Sequence, residues 1–120
     1  MLLAIDVGNT NIAIGIFLGD ELTVSWRLAS APGRTADELW VIVSRLFAER
    51  GVDTDLITGV ILSSVVPTVT ESVAKMVEQG FGQQVLHVDS SNTGLSILYE
   101  PPNEVGADRL VNSVAARALY

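Results

Sequence analysis

The sequence predicts an α/β domain with helices flanking a mixed sheet. Two observations carry that expectation. Three apolar runs, joined by tight turn signals, open the chain. From residue 35 onward, helical and strand patterns alternate, which implies parallel strands linked by crossover helices.

Leu2 to Val7 is short, apolar and rich in branched residues, as a buried strand reads. Gly8-Asn9 is a hairpin signal. Ile12, Ile14, Ile16 and Leu18 then recur with a period of two, and Gly19-Asp20 marks another turn. Leu22, Val24, Trp26 and Leu28 alternate with polar neighbours and predict a third strand over Glu21 to Ala29. Ser30 to Arg34, with Pro32 and Gly33, is a loop. Thr35 and Glu38 have the spacing of a capping box. Leu39, Val43, Leu46, Phe47 and Arg50 follow at helical spacing, and Gly51 supplies the stop. Val60 to Leu62 reads as a buried strand ending at Ser63-Ser64. Pro67 and the Thr68/Glu71 spacing predict a second helix, with Val69, Val73, Met76 and Val77 on its apolar face and an end near Gly80. Gln84 to Val88 reads as a strand, Asp89 to Gly94 as a loop and Leu95 to Tyr99 as an extended piece. Asp108 to Tyr120 reads as a helix without a stop signal, as though cut short. The order βββαβαβα is the ribonuclease H-like arrangement used by actin and the sugar kinases.

Composition narrows the function. The 120 residues, 48% hydrophobic and 18% charged, describe one globular domain. With 14 acidic residues against 7 Lys and Arg, no nonspecific nucleic-acid groove is expected, because such grooves neutralise phosphates with cations. The absence of cysteine excludes disulfides and thiolate chemistry. MLLAIDVGNT lacks a basic n-region, and no apolar run is long enough to span a bilayer. A soluble, cytoplasmic protein without a membrane partner is expected.

Three segments carry candidate chemistry. In Asp6-Val7-Gly8-Asn9-Thr10-Asn11, an aspartate at a strand end meets a turn of small and polar residues. Glycine lets amides approach a phosphate, Thr10 and Asn11 add hydrogen-bond donors, and the Asp6 carboxylate suits magnesium. The same residues also fit a plain hairpin with a solvated aspartate. In Glu104-Val105-Gly106-Ala107-Asp108-Arg109, a helix start offers free amides to an anion. Arg109 can fork onto a carboxylate, and Asp108 can accept a proton. The plainer reading has Asp108 cap the helix and Arg109 point to solvent. Ser63-Ser64-Val65-Val66-Pro67 puts two hydroxyls at a strand-to-helix junction, where ligand crevices of α/β sheets form, though a simple connection fits as well. His87, which could be a ligand or base, reads more simply as a packed or surface residue; Trp26 and Trp40 read as core or interface aromatics, and Asp89, which could reach the crevice, as a turn cap.

In order and spacing these segments, with Val111-Asn112, resemble type III pantothenate kinases over nearly the whole chain; Gly106-Ala107-Asp108-Arg109 is the most specific. The resemblance implies an actin-like ATPase domain, residues 1–120, as the N-terminal part of a two-domain kinase. The implied reaction phosphorylates pantothenate with ATP, the first step toward coenzyme A. The implied ATP loop is Asp6, Val7, Gly8, Asn9, Thr10, Asn11, Ile12 and Ala13, with Asp6 holding Mg2+. The implied pantothenate site is Tyr99, Gly106, Ala107, Asp108 and Arg109, with Asp108 as general base. A monovalent cation (K+ or NH4+), bound mostly by the second half, and a homodimer are also implied. The family usually has Asn-Pro shortly after the tyrosine, whereas this chain reads Tyr99-Glu100-Pro101-Pro102-Asn103. Its second-half Asp-x-Gly-Thr motif does not occur here, so the 120 residues alone are expected to be inactive. The competing readings are a non-catalytic, actin-like nucleotide-binding regulator and another small-molecule kinase or polyphosphatase of the superfamily.

Overall fold

The computed structural model describes residues 1–88. The expectations for Asp89, Tyr99, the 104–109 segment and the final helix lie outside the described residues. Within them the elements are β1 (Leu2–Val7), β2 (Asn11–Leu18), β3 (Glu21–Ala29), α1 (Ala36–Glu49), β4 (Gly59–Ser64), α2 (Pro67–Phe81) and β5 (Val85–Val88). A 3-10 turn at Thr54–Leu56, which the sequence patterns did not signal, precedes β4. The sheet order is β3-β2-β1-β4-β5. β1, β2 and β3 are antiparallel neighbours, while β4 runs parallel to β1 and β5 parallel to β4. The expected meander followed by parallel crossovers is therefore formed as far as Val88.

Both helices pack on one face of the sheet. Leu3, Ile5 and Val7 of β1, Ile12, Ile14 and Ile16 of β2, and Val60 and Leu62 of β4 meet Leu39, Val43 and Phe47 of α1 and Val69, Val73, Met76 and Val77 of α2 in one buried cluster. The opposite face holds a smaller cluster of Ala4, Ala13 and Phe17, bordered by Leu2 and Leu22. Leu22 departs from the simple alternation. The ladder shifts between Ile16 and Phe17, so Val24 pairs with Ile16 but Leu22 pairs with Phe17. Thr23 is the extra residue of this bulge, and its hydroxyl donates to Ile16 O at 3.0 Å. One inserted residue thus moves Leu22 to the face opposite Val24, Trp26 and Leu28.

The helix ends show which local signals hold. Thr35 and Glu38 form the expected capping box, and Gly51 takes the expected left-handed φ of +68° after α1. The Thr68/Glu71 spacing is not used as a cap. Pro67 occupies the first turn and Val66 is the N-cap, without a side-chain cap bond. Thr68 is therefore already inside the helix. Instead the Ser64 hydroxyl accepts from Val66 N at 3.0 Å, and Thr70 Oγ1 donates to Val66 O at 2.9 Å while pairing with Ser64 Oγ.

α2 runs past Gly80 to Phe81, and the left-handed stop is Gly82. Gly80 has a packing role. A Cβ there would lie 2.2 Å from Trp40 Cε3, while Trp40 itself packs edge-on against Phe81 at 5.1 Å. Gly80→Ala would otherwise stabilise a helix by about 1 kcal/mol. Here overpacking against the indole is expected to reverse the sign, for a net destabilisation of about 1–2 kcal/mol. Urea unfolding of the variant tests this; a midpoint at or above that of the parent refutes it.

Candidate active site

The site forms where the C-terminal ends of β1 and β4 meet the start of β2 and the end of β3. Asp6 pairs with Ala13 across the antiparallel ladder and with Ser63 across the parallel one. Arg27 continues the row beyond Ala13. Partners directly opposite in a ladder share a face, so Arg27, Ala13, Asp6 and Ser63 line the side of the sheet away from α1 and α2. Ser64 faces the other way. It pairs with Val7 and is occupied by the hydroxyl bonds at the start of α2. Of the two serines weighed from the sequence, Ser63 lies beside Asp6 and Ser64 belongs to the helix junction.

Asp6 is half-buried, and burial pushes its carboxyl up from 3.8 to about 6. Among the described residues neither a cation nor a hydrogen-bond donor offsets the lost hydration, and desolvation by burial is the cause of the shift. A carboxylate held this way is poised to gain from a cation brought by a ligand.

The loop after Asp6 differs from the two-residue turn expected at Gly8-Asn9. Val7 pairs with Ile12, so the β1–β2 ladder stops there; residues 8–10 form the connection and Asn11 opens β2. Gly8 does not take a positive φ. Its missing side chain matters instead because a Cβ would come within 3.2 Å of Asn11 O, the atom that accepts the Gly8 amide at 2.8 Å. The reciprocal bond from Asn11 N–H to Gly8 O is not made. Two bonds from Ser30 take the loop's carbonyls instead: its hydroxyl donates to Gly8 O at 2.7 Å and its amide to Thr10 O at 2.8 Å. The exposed amides of Asn9, Thr10 and Asn11 thus meet no acceptor in the loop. Successive amides and a carboxylate, without partners among the described residues, suit a phosphate that carries a metal ion.

Of the expected ATP loop, Asp6 and Gly8 to Asn11 gather at this edge. Val7 and Ile12 turn into the helix-side core, leaving only their backbones for a ligand, and Ala13 lies beside Asp6. His87 is exposed on β5. Ser30 is the residue the sequence patterns missed. It reads as an ordinary loop serine, and its role arises from a contact 22 positions away.

Solved structures share this fold at low identity. The ROK hexokinase from Thermus thermophilus aligns with a TM-score of 0.57 and 19% identity, covering 77% of this chain and 36% of that one. The Thermus thermophilus RuvC structure aligns with a TM-score of 0.60 and 12% identity, covering 99% and 93%. Such likeness establishes the fold, the ribonuclease H-like class used by sugar kinases and actin-like ATPases.

Within that class the sequence is specific. The type III pantothenate kinase family model matches residues 2–120, and the chain belongs to that family. The type III pantothenate kinase of Moorella thermoacetica is 50% identical over 121 residues, covering 100% of this chain and 48% of the relative. That of Myxococcus xanthus is 46% identical over 117 residues, covering 97% and 46%. The chain thus spans about half the length of the curated relatives it matches.

Proposed function

We propose that this chain is the nucleotide-binding first half of an enzyme that transfers the γ-phosphoryl group of ATP to the primary hydroxyl of pantothenate, opening the route to coenzyme A. The observation that carries the reading, beyond family membership, is a desolvated Asp6 beside the amides of residues 9–11, all without a partner among the described residues. Transfer of this kind relies on positioning and charge neutralisation more than on covalent help.

Asp6 would hold Mg2+, directly or through water, and the chemistry of the donor fits: a hard carboxylate oxygen with no competing donor among the described residues. Bound there, the ion would supply charge neutralisation at the phosphate oxygens. The amides of Asn9 to Asn11 would cradle the same phosphates. Tyr99 and Gly106 to Arg109 would form the pantothenate site, with Arg109 gripping the substrate carboxylate and Asp108 accepting the hydroxyl proton late in transfer. A second actin-like half would complete the ATP site and hold K+ or NH4+. The working enzyme would be a cytoplasmic homodimer with no nucleic-acid partner. Among the described residues, no helix is long and apolar enough to cross a membrane.

The direct test is conversion of pantothenate to 4'-phosphopantothenate by a full-length version with MgATP, followed by mass spectrometry; failure to form that product overturns the reading. Arg109→Ala is expected to raise the Michaelis constant for pantothenate at least about tenfold and that for ATP by less than about twofold. An arginine–carboxylate pair remote from the transferred group is a binding contact. Equal effects on both substrates would place Arg109 elsewhere.

A further inference from the structure

We infer that Ser30 is a positioning residue that aims the phosphate loop. The inference rests on the nucleotide-binding reading above and deepens it.

An unassisted two-residue hairpin at Gly8 to Asn11 would close with two reciprocal bonds, Gly8 N–H to Asn11 O and Asn11 N–H to Gly8 O. Only the first is present, at 2.8 Å. The Gly8 carbonyl is instead held by the Ser30 hydroxyl at 2.7 Å, and the Thr10 carbonyl by the Ser30 amide at 2.8 Å. In a trans peptide the C=O and N–H point in opposite directions. Fixing Gly8 O toward Ser30 therefore turns the Asn9 N–H away from Ser30, and fixing Thr10 O does the same for the Asn11 N–H. Ser30 thus keeps the Asn11 amide from being spent inside the turn and sets the direction of the Asn9 and Asn11 amides before a ligand arrives. Donors fixed in advance need no reorganisation when charge develops on a phosphate.

The two bonds are separable. The amide of residue 30 remains in any variant other than proline, so the Thr10 bond and the end of the β2–β3 ladder survive. Only the hydroxyl sets the Gly8–Asn9 peptide. Without it, Gly8 O is free to take the Asn11 amide and close the turn, which withdraws donors from the ligand.

The test compares Ser30→Ala and Ser30→Thr in a full-length version. Ser30→Ala is expected to lower kcat/KM for ATP about tenfold, the scale of one lost hydrogen bond to an anion-binding loop. The Michaelis constant for pantothenate should stay within about twofold, and Ser30→Thr, which keeps the hydroxyl, should recover most of the loss. Calorimetric titration with MgATP alone should show the same ranking. A wild-type protein that binds MgATP but does not phosphorylate pantothenate would sink the proposed reaction while leaving the Ser30 comparison valid. The inference itself is overturned if Ser30→Ala binds MgATP like wild type, weakens both substrates alike, or does not fold, or if Ser30→Thr is no better than Ser30→Ala.

Discussion

Asp108→Asn is expected to lower pantothenate phosphorylation by a full-length version on the order of 10² to 10⁴-fold, the range for removing a general base. The fold should remain intact, because at the helix start expected from the sequence Asn caps about as well as Asp. The substitution removes the proposed proton acceptor and preserves size, so ATP affinity should change little. The measurements are turnover with both substrates saturating and a melting curve on the same sample. Retention of more than about a third of wild-type turnover would remove Asp108 from the mechanism. An inactive variant with a collapsed melting transition would mean that the residue serves the fold.

Asp6→Asn should have effects of opposite sign on activity and stability. Phosphoryl transfer should fall by at least about 100-fold, because an amide cannot balance the charge of Mg2+ at the phosphates. The free protein should become more stable at neutral pH. The folded-state pKa of Asp6 is raised from 3.8 to about 6. Between those values the folded chain binds more protons than the unfolded one, so stability falls as pH rises through about 4 to 6 and is flat above. Each unit corresponds to about 1.4 kcal/mol, and partial hydration discounts the sum, so relief on the order of 1–3 kcal/mol is expected in the variant at pH 7.5. The gain should shrink toward pH 5. If Asp6 holds the ion as proposed, MgATP affinity of the wild-type site should weaken as pH falls through about 6, where Asp6 protonates. A variant less stable than wild type at pH 7.5 would show that Asp6 is held by partners after all.

The limits of Leu2–Val7 and Glu21–Ala29, the Thr35/Glu38 capping box, the Gly51 stop and the alternation of helices with parallel strands were legible in the residues. Each depends on neighbours a few positions apart, and apolar period, turn chemistry and capping are local. The Asp6 to Asn11 segment was legible as a candidate phosphate loop for the same reason. That loop's readings, hairpin or phosphate cradle, could not be separated locally, because the difference lies in where Gly8 O and the following amides find partners.

Tertiary structure decided the rest. The bulge at Thr23 moved Leu22 to the opposite face, a change of register that a period-two pattern does not encode. Gly80 looked like a helix stop, yet it is the gap in α2 that admits the Trp40 ring. Ser63 and Ser64 are adjacent and chemically identical; the pleat of β4 sends one toward Asp6 and the other to the start of α2. The sequence by itself determined which residues could do this chemistry: a carboxylate, a glycine turn and flanking hydroxyls. Only the sheet brought Ser30 to Gly8 and took water away from Asp6, because hydrogen-bond satisfaction and desolvation are set by every element surrounding a group, and those elements are distant in the chain.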